Sequence, residues 1–81
     1  MQKEKLINRV IRGYDRNNDN FVVELSLAHI SLDVLQKIFN IEEENPMYDC
    51  YPIRMNEYRE LKLFLKDDLD FRSIDYFLEL K

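Results

Sequence analysis

A chain of 81 residues with 46% hydrophobic content has room for one domain, residues 1–81, and is too apolar to be disordered. Sixteen acidic against twelve basic residues leave a net charge of −4, which disfavours direct nucleic-acid binding because phosphate recognition needs clustered Lys and Arg. A single cysteine, Cys50, excludes an internal disulfide, and no stretch approaches the ~20 apolar residues of a membrane span. With no signal-peptide pattern at the N-terminus, the expected location is cytoplasmic.

Residues 6–14 fit two periods. Leu6, Val10 and Tyr14 share a helix face with Ile7 and Ile11 beside them, and the same three share a strand face with Asn8 and Arg12 between. Gly13 costs a helix about 1 kcal/mol and favours the strand. Phe21, Val23, Leu25 and Leu27 then alternate with Val22, Glu24 and Ser26, which predicts a half-buried strand with those four apolar residues on one face.

The intervening Asp15-Arg16-Asn17-Asn18-Asp19-Asn20 has two readings. As a calcium loop, Asp15, Asn17 and Asp19 supply alternate oxygen ligands, and Val22 fits the apolar position. Ser26, however, stands where a bidentate Glu is required, and Glu24 comes two places early. As a hairpin tip, the same Asn and Asp residues cap their own turn and tolerate left-handed backbone. The missing ligand favours the turn, so neither metal nor cofactor is expected.

Ser31 in the N-cap position and Asp33 in the first turn open a short helix over 32–39, with Leu32, Leu35, Ile38 and Phe39 as its apolar face and Asn40 as its stop. A long connection follows. Glu42-Glu43-Glu44 is exposed by composition, whereas Met47 to Ile53 is apolar for a loop. Pro46 and Pro52 keep it out of a helix, and Tyr48 and Tyr51 are its expected anchors. Asn56 caps a predicted second helix with Tyr58, Leu61, Phe64 and Leu65 buried, ending around Lys66 to Asp68. In the final segment Ile74, Tyr76, Leu78 and Leu80 alternate with Asp75, Phe77 and Glu79, which predicts a strand. The expected fold is α+β in the order ββααβ, a three-stranded antiparallel sheet with two helices packed on one face.

Catalytic constellations are missing from the pattern. Cys50 and His29 are the sole residues of their kinds, and nothing in the spacing pairs them; no Lys or Arg adjoins Cys50 to activate its thiol. His29 reads as a surface residue ahead of the first helix. Carboxylate runs such as Asp67-Asp68 and Asp70 read as solvated surface rather than an acid–base pair. No phosphate loop or nucleophile elbow is present, so a non-enzyme is expected.

One combination of segments does resemble a known group. Gly13-Tyr14-Asp15 precedes a hairpin turn and Ile38-Phe39 ends a helix. An acidic loop leads into Pro46-Met47-Tyr48-Asp49-Cys50-Tyr51-Pro52, and Asp75-Tyr76-Phe77-Leu78-Glu79 closes the chain. In that order they resemble small bacterial proteins similar to the immunity proteins of contact-dependent growth inhibition and related polymorphic toxin systems. The resemblance implies a cytoplasmic antitoxin that binds a cognate toxin domain, often a basic nuclease, and occludes its active site. It carries over no catalytic residues. Glu42, Glu43, Glu44, Asp67, Asp68 and Asp70 form two acidic clusters that would meet such a basic partner. A single EF-hand-like calcium binder and a small regulatory interaction module are the alternatives. No membrane partner is expected.

Overall fold

A computed structural model describes residues 9–27 and 30–81. The expectations for Leu6, Ile7 and His29 fall outside those residues. The order is β1 (Arg9–Asp15), β2 (Phe21–Ser26), α1 (Leu32–Phe39), β3 (Tyr51–Ile53), α2 (Met55–Leu61) with one 3-10 turn (Lys62–Phe64) continuing it, and β4 (Ile74–Leu80). The fold is α+β as expected, but the sheet has four strands in the order β2-β1-β4-β3, all antiparallel.

The fourth strand, β3, corrects the expected ββααβ order to ββαβαβ. It falls inside the segment read as a packed loop, and Pro52 is its middle residue. A proline has no N–H to give a ladder, so it fits only an edge strand, and β3 pairs with β4 alone. The anchors of the preceding segment differ too. Tyr48 is 58% exposed, whereas Met47 is 1% exposed and fills the core; Tyr51 is half-buried against Phe39, ring centroids 6.0 Å apart.

The β1–β2 hairpin settles the two readings of residues 9–14 as a strand. Its register shifts between Gly13 and Tyr14: Gly13 lies opposite Val23, but Tyr14 lies opposite Phe21, leaving Val22 as the extra residue of a bulge. Because the side-chain period of a strand is 2, one extra residue reverses the faces beyond it. Val23 and Leu25 pack against the core, while Phe21 is turned onto the other face beside Tyr14 and is 57% exposed. The expected single row of Phe21, Val23, Leu25 and Leu27 is therefore broken at Phe21.

The core lies on one side of the sheet. Ile11, Ile53, Tyr76 and Leu78 meet Leu35 of α1, Leu61 of α2 and Met47. Gly13 belongs to this face, and a Cβ built there would come within 2.8 Å of Ile74 Cγ2 and 2.9 Å of both Tyr76 Cε1 and Val23 Cγ1. The glycine is needed for space, not for an unusual backbone angle.

Helix α1 has the bounds and apolar face read from the sequence. Ser31 takes the extended N-cap conformation, and its carbonyl accepts the Leu35 N–H at 3.1 Å. Its hydroxyl holds the Asp33 carboxyl below the usual range. Asn40 ends the helix in left-handed conformation, and the Ile41 N–H returns to the Gln36 carbonyl at 2.8 Å. Helix α2 begins two residues earlier than expected, with Arg54 rather than Asn56 in the N-cap position, because Glu57 Oε1 accepts the Arg54 N–H at 2.8 Å. This is half of a capping box; the arginine side chain carries no acceptor to return the bond. Its regular part ends at Leu61 instead of near Lys66, and the next turn tightens to 3-10.

Candidate functional site

The first acidic cluster is held from below by a buried amide. Gln36, on α1, is the one buried polar residue among those described. Its Nε2 donates to the carbonyls of Glu43 (3.0 Å) and Asn45 (2.7 Å). Asn45 Oδ1 in turn accepts the Met47 N–H at 2.8 Å, and Met47 takes a left-handed φ of 57° to drop its side chain into the core. With the loop backbone fastened at three points, the side chains of Glu42, Glu43 and Glu44 remain exposed.

Two tyrosines fasten the second cluster. The Tyr76 hydroxyl, reaching from β4, accepts the Asp70 N–H at 3.0 Å. The Tyr58 hydroxyl on α2 meets the Leu69 N–H (3.4 Å) and Asp68 Oδ1 (3.5 Å) at the outer limit of hydrogen bonding. Phe71 lies between their rings, with centroids 5.4 Å from Tyr58 and 5.5 Å from Tyr76 in edge-to-face contact. Asp70 Oδ1 accepts the Arg72 N–H at 3.0 Å, so this carboxylate is partly spent on its own turn. Asp67, Asp68 and Asp70 are all exposed. No hydrogen bond or ion pair among the described residues joins the two clusters; each belongs to its own loop.

A third assembly was not foreseen from the sequence. On the sheet face away from the helices, Glu79 gathers groups from β1 and from the approach to β3. Its Oε1 accepts Arg12 Nη1 at 2.9 Å, and its Oε2 accepts the Tyr14 hydroxyl at 2.9 Å and the Cys50 thiol at 3.5 Å. Arg12 Nε also meets Glu24 Oε1 across the β1–β2 ladder at 3.1 Å, and Lys81 Nζ meets Glu24 Oε2 at 3.1 Å. Tyr14 packs edge-on against Phe21 and Phe77, centroids 6.0 and 5.8 Å away.

The protonation of this assembly follows from its contacts. The Glu79 carboxylate beside Tyr14 raises the phenol above its ordinary range, and hydrogen bonds to Glu79 and Glu24 raise the Arg12 guanidinium. Lys81 first and Arg12 second lower the Glu24 carboxyl. Burial, followed by the Glu79 carboxylate, pushes the Cys50 thiol up to about 11. At neutral pH Cys50 is therefore a protonated donor and not a thiolate nucleophile. Cys50 is exposed at the end of the connection. Alternation could have placed Arg12, Glu79 and Phe77 on one face. Only the β1–β4 pairing, with Arg12 opposite Phe77, brings them together.

The polar loop at residues 15–20 joins two strands rather than two helices, which removes the helix–loop–helix frame of an EF-hand. Its oxygens are engaged locally: Asp15 Oδ1 accepts the Asn17 N–H at 2.7 Å and Asn18 Oδ1 the Asn20 N–H at 2.9 Å, while Asp19 has a φ of 62°. Among the described residues no three His, Cys, Asp or Glu side chains converge into a group able to hold a metal ion. No helix there is long and apolar enough to cross a membrane.

No curated protein matches the chain. A family model described as a domain of unknown function (DUF7683) matches residues 8–79, a span that runs from the start of β1 to the last turn of the β4 ladder and includes both acidic loops and the Glu79 assembly. The chain belongs to the DUF7683 family.

Proposed function

We propose that this chain is an antitoxin of the immunity-protein kind, which binds a cognate toxin domain and covers its active site with its acidic loops. The observation that carries the reading is the contrast between the two sets of charges. The ion pairs among the described residues lie on the sheet or at its margin, through Arg12, Arg16, Lys81, Glu24, Asp75 and Glu79. None of them engages Glu42, Glu43, Glu44, Asp67, Asp68 or Asp70. A carboxylate already neutralised by a neighbour offers a partner little; six exposed carboxylates with no ion pair among the described residues project a field that attracts a basic surface. Such steering raises association rates to roughly 10⁸ M⁻¹s⁻¹ and above at low salt.

The loops that carry them are fastened by Gln36, Tyr58 and Tyr76, so little ordering entropy opposes binding. A nuclease domain supplies the matching chemistry, because its substrate groove is lined with cations, and carboxylates at fixed positions can stand in for phosphates there. The mechanism is occlusion and needs no catalytic group on this chain.

Co-expression with the product of the neighbouring gene is the direct test: a product that kills alone and is neutralised by this chain is the expected result, and a neighbour that does not kill, or killing that continues despite soluble antitoxin, rejects the proposal. In purified proteins, reversing Glu42, Glu43 and Glu44 to Lys slows association about tenfold or more and removes its salt dependence. Unchanged kinetics would eliminate that cluster as a contact. A regulatory module that binds some other basic protein could use the same surface, and growth rescue separates the two.

A further inference from the structure

The strand order leaves two sheet edges, and they are not alike. The β3 edge is three residues long with Pro52 at its centre, too short and too poor in N–H groups to recruit another strand. The β2 edge is six residues, Phe-Val-Val-Glu-Leu-Ser, with neither proline nor glycine and only one charge. Among the described residues its backbone pairs with β1 and nothing else, so every second N–H and C=O points outward. Beside it runs a groove of about 460 Å³ floored by Leu25, Leu27 and Phe64 and rimmed by Lys66 and Asp67. The geometry points to this edge as a self-association site, where a second copy of the chain pairs its own β2 antiparallel to the first and extends the sheet across a two-fold axis.

The occupant is assigned from register. A two-fold axis perpendicular to the sheet keeps the helices of both copies on one side and centres the pairing on a single residue. Centring on Glu24 sets Leu27 of the core face opposite Phe21, which lies on the other face. Centring on Val23 sets Leu25 opposite Phe21, which the bulge has turned to the other face. Centring on Leu25 sets Leu25 against Leu25, Val23 against Leu27, and Glu24 against Ser26. Apolar residues of the core face then meet apolar residues, and each carboxylate meets a hydroxyl.

The groove shares Asp67 with the second acidic cluster, so self-association is scored on the chain alone, without toxin, and its outcome is read separately from that of the toxin experiments. Sedimentation equilibrium of the full chain from about 1 µM to about 1 mM in ~0.15 M salt, where the net charge is screened, tests the assembly. A concentration-dependent dimer is expected, with hydrogen exchange at the β2 amides slowing as concentration rises. Ser26 is exposed, so its substitutions leave the fold intact. Ser26→Glu sets an additional carboxylate opposite each Glu24 and raises the dimer Kd about tenfold, acting twice per dimer, whereas Ser26→Lys faces a Glu24 already paired with Arg12 and Lys81 and changes it less than about threefold. A monomer at every concentration overturns the proposal. A dimer whose Kd does not move with Ser26→Glu, or rises as much with Ser26→Lys, also overturns it.

Discussion

Replacing Gly13 by Ala tests the packing on which both the sheet and the second acidic loop depend. The added methyl would approach Ile74 Cγ2, Tyr76 Cε1 and Val23 Cγ1 to within 2.8 to 2.9 Å. None of the three can easily yield. Val23 and Ile74 are β-branched and stiff at their first torsion. The Tyr76 ring is buried, its hydroxyl tied to the Asp70 N–H and its edge against Phe71. Overpacking of this kind costs about 1–3 kcal/mol. Reduced freedom of the unfolded chain returns about 0.4–1 kcal/mol, for a net loss of about 1–2 kcal/mol. For a domain of this size that is a fall in Tm of about 5–15 °C, measurable by circular dichroism or urea unfolding. Adding Val23→Ala removes one of the opposing methyls, so the double variant should lose less stability than the sum of the singles. A Gly13→Ala protein as stable as the parent would refute the reasoning, because it would mean that Tyr76 and its neighbours can move freely.

Gln36→Ala removes both bonds that hold the first acidic loop and leaves two carbonyls without their donor, a loss of about 1–3 kcal/mol in unfolding experiments. Exchange of the amides from Glu42 to Asn45 should quicken at the same time; unchanged stability and exchange would show that the loop is held by other contacts. Alkylation of Cys50 by iodoacetamide at pH 8 should run about tenfold slower than for an ordinary thiol of pKa 9.0, since a thiol raised to about 11 has about 100-fold less thiolate and the greater nucleophilicity of that thiolate offsets part of the loss. The rate should rise about tenfold per pH unit until the thiol titrates, and Glu79→Gln should accelerate it by removing the neighbouring carboxylate. The same shift makes the protonated thiol a stabilising element that is fully present below the ordinary thiol pKa and lost as pH rises through about 11. Alkylation at pH 8 as fast as that of a free cysteine would contradict the shielding of the thiol by burial and by Glu79.

What the sequence revealed was local in origin. Helix α1 could be placed because Ser31, the spacing of Leu32, Leu35, Ile38 and Phe39, and Asn40 each act within a turn of themselves. The hairpin tip could be placed because Asp15 and Asn18 bond to amides two residues on. The acidic loops could be recognised as exposed because three successive glutamates have nowhere to be buried. What escaped depends on distant partners. Three residues around Pro52 become a strand only because β4 offers an edge. Phe21 reverses its face through a bulge that the alternation of its neighbours conceals. Gln36 looks like a polar interruption of an apolar helix until two carbonyls of the following loop close over it. Glu79 looks like one more surface carboxylate until four strands are aligned.

The position of β4 has a consequence for how the chain comes to be folded during synthesis. It is a central strand, between β1 and β3, yet it is translated after both of the strands it joins. Arg9 waits for Leu80, and Asp15 for Ile74. A ribosome can release the hairpin and α1 early, but the layer on which the helices rest exists only when residues 74–80 have cleared the exit tunnel. Folding is then governed by closure of a long loop, which places it among slower, non-local topologies. A stop codon placed ahead of Ile74 would remove the scaffold of the whole domain rather than trim one end of it.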